Sequence, residues 1–236
     1  MRLAGYQGTS LIDYPGRVAA TLFAAGCNFR CPFCHNAELV LPERVATLAR
    51  LDPDEVLCDL ERRRDFVDGV VLTGGEPTLQ EDLAAFAERV RALGFLVKLD
   101  TNGSRPRVVR ALLDRGLLDY VAVDVKAPPA RYAEFAGDEA RPADVEETVR
   151  AIRESKLEYE LRTTVAPGLT VDDIAAIAEW IGPAKRYVLQ LFRVPTGKAD
   201  GLLDPSWAER TSLGERELRK AWAAVRDRFD DGAVRA

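Results

Sequence analysis

Six short runs of β-branched and aromatic residues recur along this chain, and amphipathic stretches of helix length lie between them. The runs are VAATLFA at 18–24, GVVLT at 69–73, FLVKLD at 95–100, YVAVDV at 120–125, YELRTTV at 159–165 and YVLQLF at 187–192. Residues 53–64, 79–93, 106–115, 143–155 and 170–181 carry apolar side chains three and four apart, the period of a helix with one buried face. ALGF at 92–95 and DRGLL at 114–118 place glycines where two of these helices should stop. Such alternation predicts parallel strands joined by helical crossovers. The chain of 236 residues, 47% of them hydrophobic, reads as one α/β domain over 1–236, with a core at about 18–195 and a C-terminal extension at about 196–236.

A doubly wound sheet and a partial barrel both satisfy that pattern, and the polar clusters favour the second. The cysteine-rich loop, GGEP (74–77), DTNG (100–103), DVKAP (124–128) and APG (166–168) each follow or end a strand. In a β/α barrel those ends converge on one catalytic face. The expected fold is an open, TIM-like (β/α)6 barrel with a C-terminal helix at 214–229, reached through a loop at 193–207.

AGCNFRCPFCHN at 25–36 puts three of the four cysteines into eight positions at CxxxCxxC spacing. Clustered thiolates are soft ligands for zinc or an iron–sulfur centre, and they suit a reducing compartment better than a disulfide framework. Structural zinc would need a fourth ligand such as His35, but consecutive residues seldom turn both side chains to one ion. Cys58 lies off the Val56, Leu57 and Leu60 stripe of its helix, which favours a structural role over ligation. The array Cys27, Cys31, Cys34 thus has no obvious fourth protein ligand.

CxxxCxxC with an aromatic before its last cysteine, followed by GGEP, resembles the radical S-adenosylmethionine (SAM) enzymes. The resemblance implies one 4Fe–4S cluster held by Cys27, Cys31 and Cys34, with SAM on the fourth iron. It implies further that the Gly74–Gly75 backbone meets the SAM amino group with Glu76 in support, and that Phe33 lies at the adenine edge. A small residue such as Gly75 also lets backbone approach a ligand with no Cβ in the way.

CPFCHN, LDTNG and DVKAP together resemble the glycyl radical enzyme activases, in particular that of anaerobic ribonucleotide reductase. This resemblance covers about residues 5–195. It implies that Asn36, Asp100, Asn102 and Lys126 belong to the SAM pocket, with a cationic Lys126 able to pair with the SAM carboxylate. It also implies a monovalent cation on Asp100, Thr101 and Asp124, whose hard oxygens suit one, although Asp100 or Thr101 would serve equally as a helix cap. Arg162 shares a strand face with Glu160 and Thr164, within reach of SAM or substrate. Arg193 stands where the pyruvate formate-lyase activase has a histidine, which leaves its SAM contact in question.

The implied partners are a glycyl radical enzyme as protein substrate and a flavodoxin or ferredoxin as electron donor. Another resemblance, to 7-carboxy-7-deazaguanine synthase, would mean a small-molecule substrate; there the residue after the last cysteine is commonly acidic, where this chain has His35. A net charge of −5 disfavours a nucleic-acid groove. No apolar run approaches the roughly 20 residues that span a bilayer, and the expected location is cytoplasmic. VAATLFAAGC is not read as a lipidation signal, because Asp13 and turn residues precede it where a basic leader is required.

Overall fold

All six expected strands form, and they sit inside a larger sheet. The structure is a computed structural model and describes residues 1–194 and 201–235, so residues 195–200 of the loop expected at 193–207 lie outside the described residues. In chain order the strands are β1 (Leu3–Ser10), β2 (Ala19–Ala24), β3 (Gly69–Gly74), β4 (Leu96–Thr101), β5 (Tyr120–Asp124), β6 (Glu158–Val165), β7 (Ala184–Leu191) and β8 (Phe229–Arg235). They pair in that same order, β1 antiparallel to β2 and the rest parallel, with no pairing of β8 to β1 among the described residues. A sheet wound in one direction by right-handed crossovers carries its helices on one face only. The other face curls inward, and the result is an open partial barrel.

The helices are α1 (Pro42–Thr47), α2 (Pro53–Arg62), α3 (Leu83–Ala92), α4 (Pro106–Asp114), α5 (Tyr132–Ala136), α6 (Pro142–Glu154), α7 (Val171–Ile181) and α8 (Glu215–Val225). Proline opens α1, α2, α4 and α6, at the one helical position where its missing N–H is harmless. A Thr170–Asp173 capping box starts α7. Period-two alternation sends Leu22, Leu72, Leu99, Val123, Leu161 and Leu189 outward into the main core beneath these helices. The inner face differs sharply. Tyr14, Ala19, Val71 and Tyr120 plug its lower end as a small separate cluster, and charged residues occupy the space above.

Two expectations need correction. LAGYQGTS, with two glycines and mostly half-exposed side chains, was not expected as a strand, yet it pairs along β2 as an edge. The C-terminal helix stops at Val225 instead of 229, and FDDGAVR continues as β8 against β7. The cause is aromatic packing: the Phe229 ring lies 4.8 Å from Tyr187 and 6.0 Å from Trp222, which turns the chain into the sheet.

Candidate functional site

Where the C-terminal ends of β2 to β6 meet, a cavity of 220 Å³ opens, and most of the polar clusters read from the sequence converge on it. Cys27, Cys31, Cys34, Phe33 and Asn36 line it from the loop after β2, and Gly74, Gly75 and Glu76 from the end of β3. Asp100, Thr101 and Asn102 enter from β4, Asp124 and Lys126 from β5. Arg162 and Arg193 are not among the lining residues. Arg193 follows the end of β7 and is exposed; Phe192 before it turns inward instead, with its ring 5.4 Å from that of His35.

The three thiols share the cavity. Among the described residues no three His, Cys, Asp or Glu side chains form a single-ion site. Three cysteines lining one cavity suit a polynuclear cluster, in which each thiolate takes its own iron. Cys58 is exposed on α2, away from the cavity, while Val56, Leu57 and Leu60 are buried. Burial pushes the Cys27 thiol up to about 11 and that of Cys31 up to about 12, with Lys126 acting in the opposite sense on both. Thiols of this kind must lose protons to ligate, so loading a metal centre here releases protons.

Gly75 gives its space to the protein itself. A Cβ there would lie 2.7 Å from the carbonyl carbon of Gly26 and 3.1 Å from the Leu39 oxygen, and closer still to the Gly26 oxygen. The space beside Gly75 is taken by the backbone just ahead of Cys27, while Gly75 itself still lines the cavity. The Glu76 N–H then donates to the Gly26 carbonyl at 2.8 Å. The Glu76 side chain is fully buried and accepts from Thr78 N–H (3.0 Å), Thr78 Oγ1 (2.5 Å), Thr101 Oγ1 (2.8 Å) and Asn102 N–H (2.7 Å). Burial pushes its carboxyl above the usual range against those donors. Glu76 thus braces the β3 loop to the β4 loop.

Asn102 and Ser104 carry the brace on to the cysteine loop. Asn102 Nδ2 donates to Asn28 Oδ1 at 3.1 Å and to Cys27 Sγ at 3.8 Å, and Asn28 Nδ2 donates to Ser104 Oγ at 2.9 Å. From the other side, Phe33 packs against Phe135, Phe192 and Trp207 with centroids 5.8–6.5 Å apart, and Asp204 N–H donates to the Pro32 carbonyl at 2.9 Å. Asn28 is an unassigned position within the CxxxCxxC loop, and Ser104 and Trp207 belong to no motif; their roles are not legible in the sequence because only folding brings these segments together.

Below the cavity floor runs an ionic array. Arg162 Nε meets Asp124 Oδ1 at 2.8 Å, Arg162 Nη1 meets Asp100 Oδ2 at 3.1 Å, and Lys126 Nζ meets Asp124 Oδ2 at 3.1 Å. Lys98, 1% exposed, pairs with Asp100. Burial alone would raise the Asp124 carboxyl, but Arg162 and Lys126 hold it well below the ordinary carboxylate range. Against burial, Asp124 holds Lys126 charged, and Asp100 with Asp124 holds Arg162 charged, both above their ordinary values. Of the oxygens expected to hold a monovalent cation, both carboxylates here face cationic side chains and Thr101 Oγ1 donates to Glu76.

Comparison with known proteins gives this geometry a context. The family described as the radical SAM superfamily matches residues 21–181. A protein of Methanocaldococcus jannaschii, provisionally named a glycyl-radical enzyme activating enzyme, is 30% identical over 239 residues, spanning 99% of this chain and 95% of that protein. The 7-carboxy-7-deazaguanine synthase of Methanopyrus kandleri is 36% identical over 132 residues, 49% of this chain and 52% of the synthase. Among solved structures, Streptococcus suis SuiB bound to S-adenosylmethionine superposes with a TM-score of 0.65 at 15% identity, covering 90% of this chain and 51% of SuiB.

Proposed function

The chain belongs to the radical SAM superfamily, and we propose that within it the protein is a glycyl radical enzyme activase acting on anaerobic ribonucleotide reductase. Its cofactors are a 4Fe–4S cluster and SAM, as the family requires. When bound, the cluster supplies the electron that splits the sulfonium of SAM into methionine and a 5′-deoxyadenosyl radical, the species that removes a hydrogen from substrate.

In this reading Cys27, Cys31 and Cys34 ligate the cluster, and the braced loops of Glu76 and Asn102 hold them in place. The Gly74–Gly75 backbone and Asn36 orient SAM, and Lys126 pairs with its carboxylate. The aromatic packing of Phe33, Phe135, Phe192 and Trp207 keeps water from the cluster side. A flavodoxin or ferredoxin is the proposed electron donor.

The observation that carries the choice of substrate class is coverage. Similarity to the Methanocaldococcus jannaschii relative covers 99% of this chain, whereas similarity to deazaguanine synthases covers 38–70% of it. The unclosed sheet adds support, since an open side admits a backbone loop of a large partner. The local 36% identity to the synthase keeps a small-molecule substrate as the second reading.

The test mixes anaerobically reconstituted, dithionite-reduced protein with SAM and candidate reductase. A glycyl radical signal in electron paramagnetic resonance, and cleavage of the reductase on admission of air, are the expected results. SAM turnover with neither product refutes the reductase as partner and favours the small-molecule reading.

A further inference from the structure

The last strand reaches into the cavity floor through one buried carboxylate. Glu160 on β6 is 1% exposed and faces three arginines. Its Oε2 lies 2.9 Å from Arg235 Nη2 on β8 and 3.6 Å from Arg186 Nε on β7; its Oε1 lies 3.8 Å from Arg162 Nη1. Arg162 Nη1 is the same nitrogen that meets Asp100 at 3.1 Å. Two carboxylates therefore compete for one guanidinium arm, and the nearer pairing with Asp100 prevails while Glu160 is neutralised from the other side. Arg186 does this incompletely, being also paired with Asp231 on the exposed face and, among the described residues, leaving its buried Nε without a hydrogen-bond acceptor. Arg235 makes the close contact.

We propose that Arg235 is a positioning residue for the SAM site: by pairing with Glu160 it leaves Arg162 to bridge Asp100 and Asp124, and so keeps Asp100, Asp124 and Lys126 in register at the cavity. Without Arg235, Glu160 holds a buried charge whose remaining partners, Arg186 Nε at 3.6 Å and Arg162 Nη1 at 3.8 Å, both lie beyond hydrogen-bond distance, so both are drawn toward it. An unpaired buried carboxylate is costly enough to drive that rearrangement. Arg162 then swings down toward Glu160, Asp100 loses its bridge, and Lys126 is left as the main partner of Asp124 instead of facing SAM. The inference rests on the reading of this cavity as the SAM site.

The experiment compares wild type, Arg235→Gln, Arg235→Lys and the double variant Glu160→Gln/Arg235→Gln, each as reconstituted holoenzyme. SAM affinity is read by calorimetry, KM and kcat by uncoupled SAM cleavage, and stability by thermal unfolding. Arg235→Gln should weaken SAM binding and raise KM about tenfold, within the coupling expected inside one charge network, with kcat changed less than about twofold. Arg235→Lys should recover most of that loss. The double variant, with the competing carboxylate gone, should return to within about threefold of wild type. A purely structural arginine would instead give a lowered melting temperature with unchanged SAM affinity, or a double variant worse than the single; either result overturns the proposal. If Arg235→Gln fails to fold, the double variant decides the matter by the same threefold criterion. Wild-type protein that does not cleave SAM would count against the cavity assignment itself, a separate outcome.

Discussion

Replacing Gly75 by alanine tests how the GGEP loop supports the cysteines. The backbone at Gly75 is not left-handed, so the effect of a methyl group is steric. That methyl would sit 2.7 Å from the carbonyl carbon of Gly26, against backbone that cannot rotate away as a flexible side chain would. Overpacking of this kind costs about 1–3 kcal/mol. Moving the Gly26 carbonyl also strains the 2.8 Å bond from Glu76 N–H, worth about 1 kcal/mol net. Against this, alanine stiffens the unfolded chain and contributes about 0.4–1 kcal/mol of stability. The balance is a loss of about 1–3 kcal/mol, equivalent to a melting temperature lower by roughly 3–10 °C in a chain of this size. Apo protein is followed by circular dichroism on heating, and iron and sulfide are counted after anaerobic reconstitution; iron content should fall because the displaced segment adjoins Cys27. Gly94→Ala is the control, since its φ of +93° is strained but nothing lies within 4 Å of the added methyl. A Gly75→Ala protein as stable as wild type or more so, with full iron loading, would refute the crowding argument.

Other outcomes follow from the same structure. The Asp124 carboxyl is held below its ordinary value, so its contribution is complete above about pH 4 and is lost as pH falls further. Asp124→Asn should therefore destabilise the protein at pH 7 in urea titrations, and the gap from wild type should narrow below pH 4; a constant gap would contradict the assignment. Burial and a hydrogen bond to Asp59 push the Tyr6 hydroxyl up to about 12. Its stabilising share is full below about pH 10 and declines as pH approaches 12, so Tyr6→Phe should flatten the alkaline limb of a stability–pH curve. Cys58 is exposed, while Cys31 is buried and Cys27 and Cys34 are half-buried. Iodoacetamide should modify Cys58 first in apo protein, and Cys58→Ser should keep full iron content, whereas Ser at 27, 31 or 34 should lose it; iron loss in the Cys58 variant would overturn the ligand assignment.

Much of the site was legible because its chemistry is local. CPFCHN, GGEP, DTNG and DVKAP each carry their residues within a few positions, and each follows a strand whose apolar run is visible in one dimension. Once parallel order is inferred, the strand ends must meet on one face. Arg193 escaped that logic: β7 stops at Leu191, and the next side chain turned inward is Phe192, so register at a strand end set the outcome.

By itself, the sequence determined the parallel strands, the amphipathic helices and the thiol array, since period, turn chemistry and ligand spacing are properties of neighbouring residues. Tertiary structure decided the two edge strands and the inner charges. FDDGAVR has weak strand propensity and becomes β8 only where β7 offers unpaired backbone and the Trp222 ring lies over Gly232. In the sequence Glu160 and Arg162 show only as neighbours on one strand face, and Lys98 as a polar break in FLVKLD. Lys98 and Glu160 are buried here, and Arg162 nearly so, because the sheet curls its strands around its own inner face, and a charge in that position persists only when an opposite charge arrives beside it.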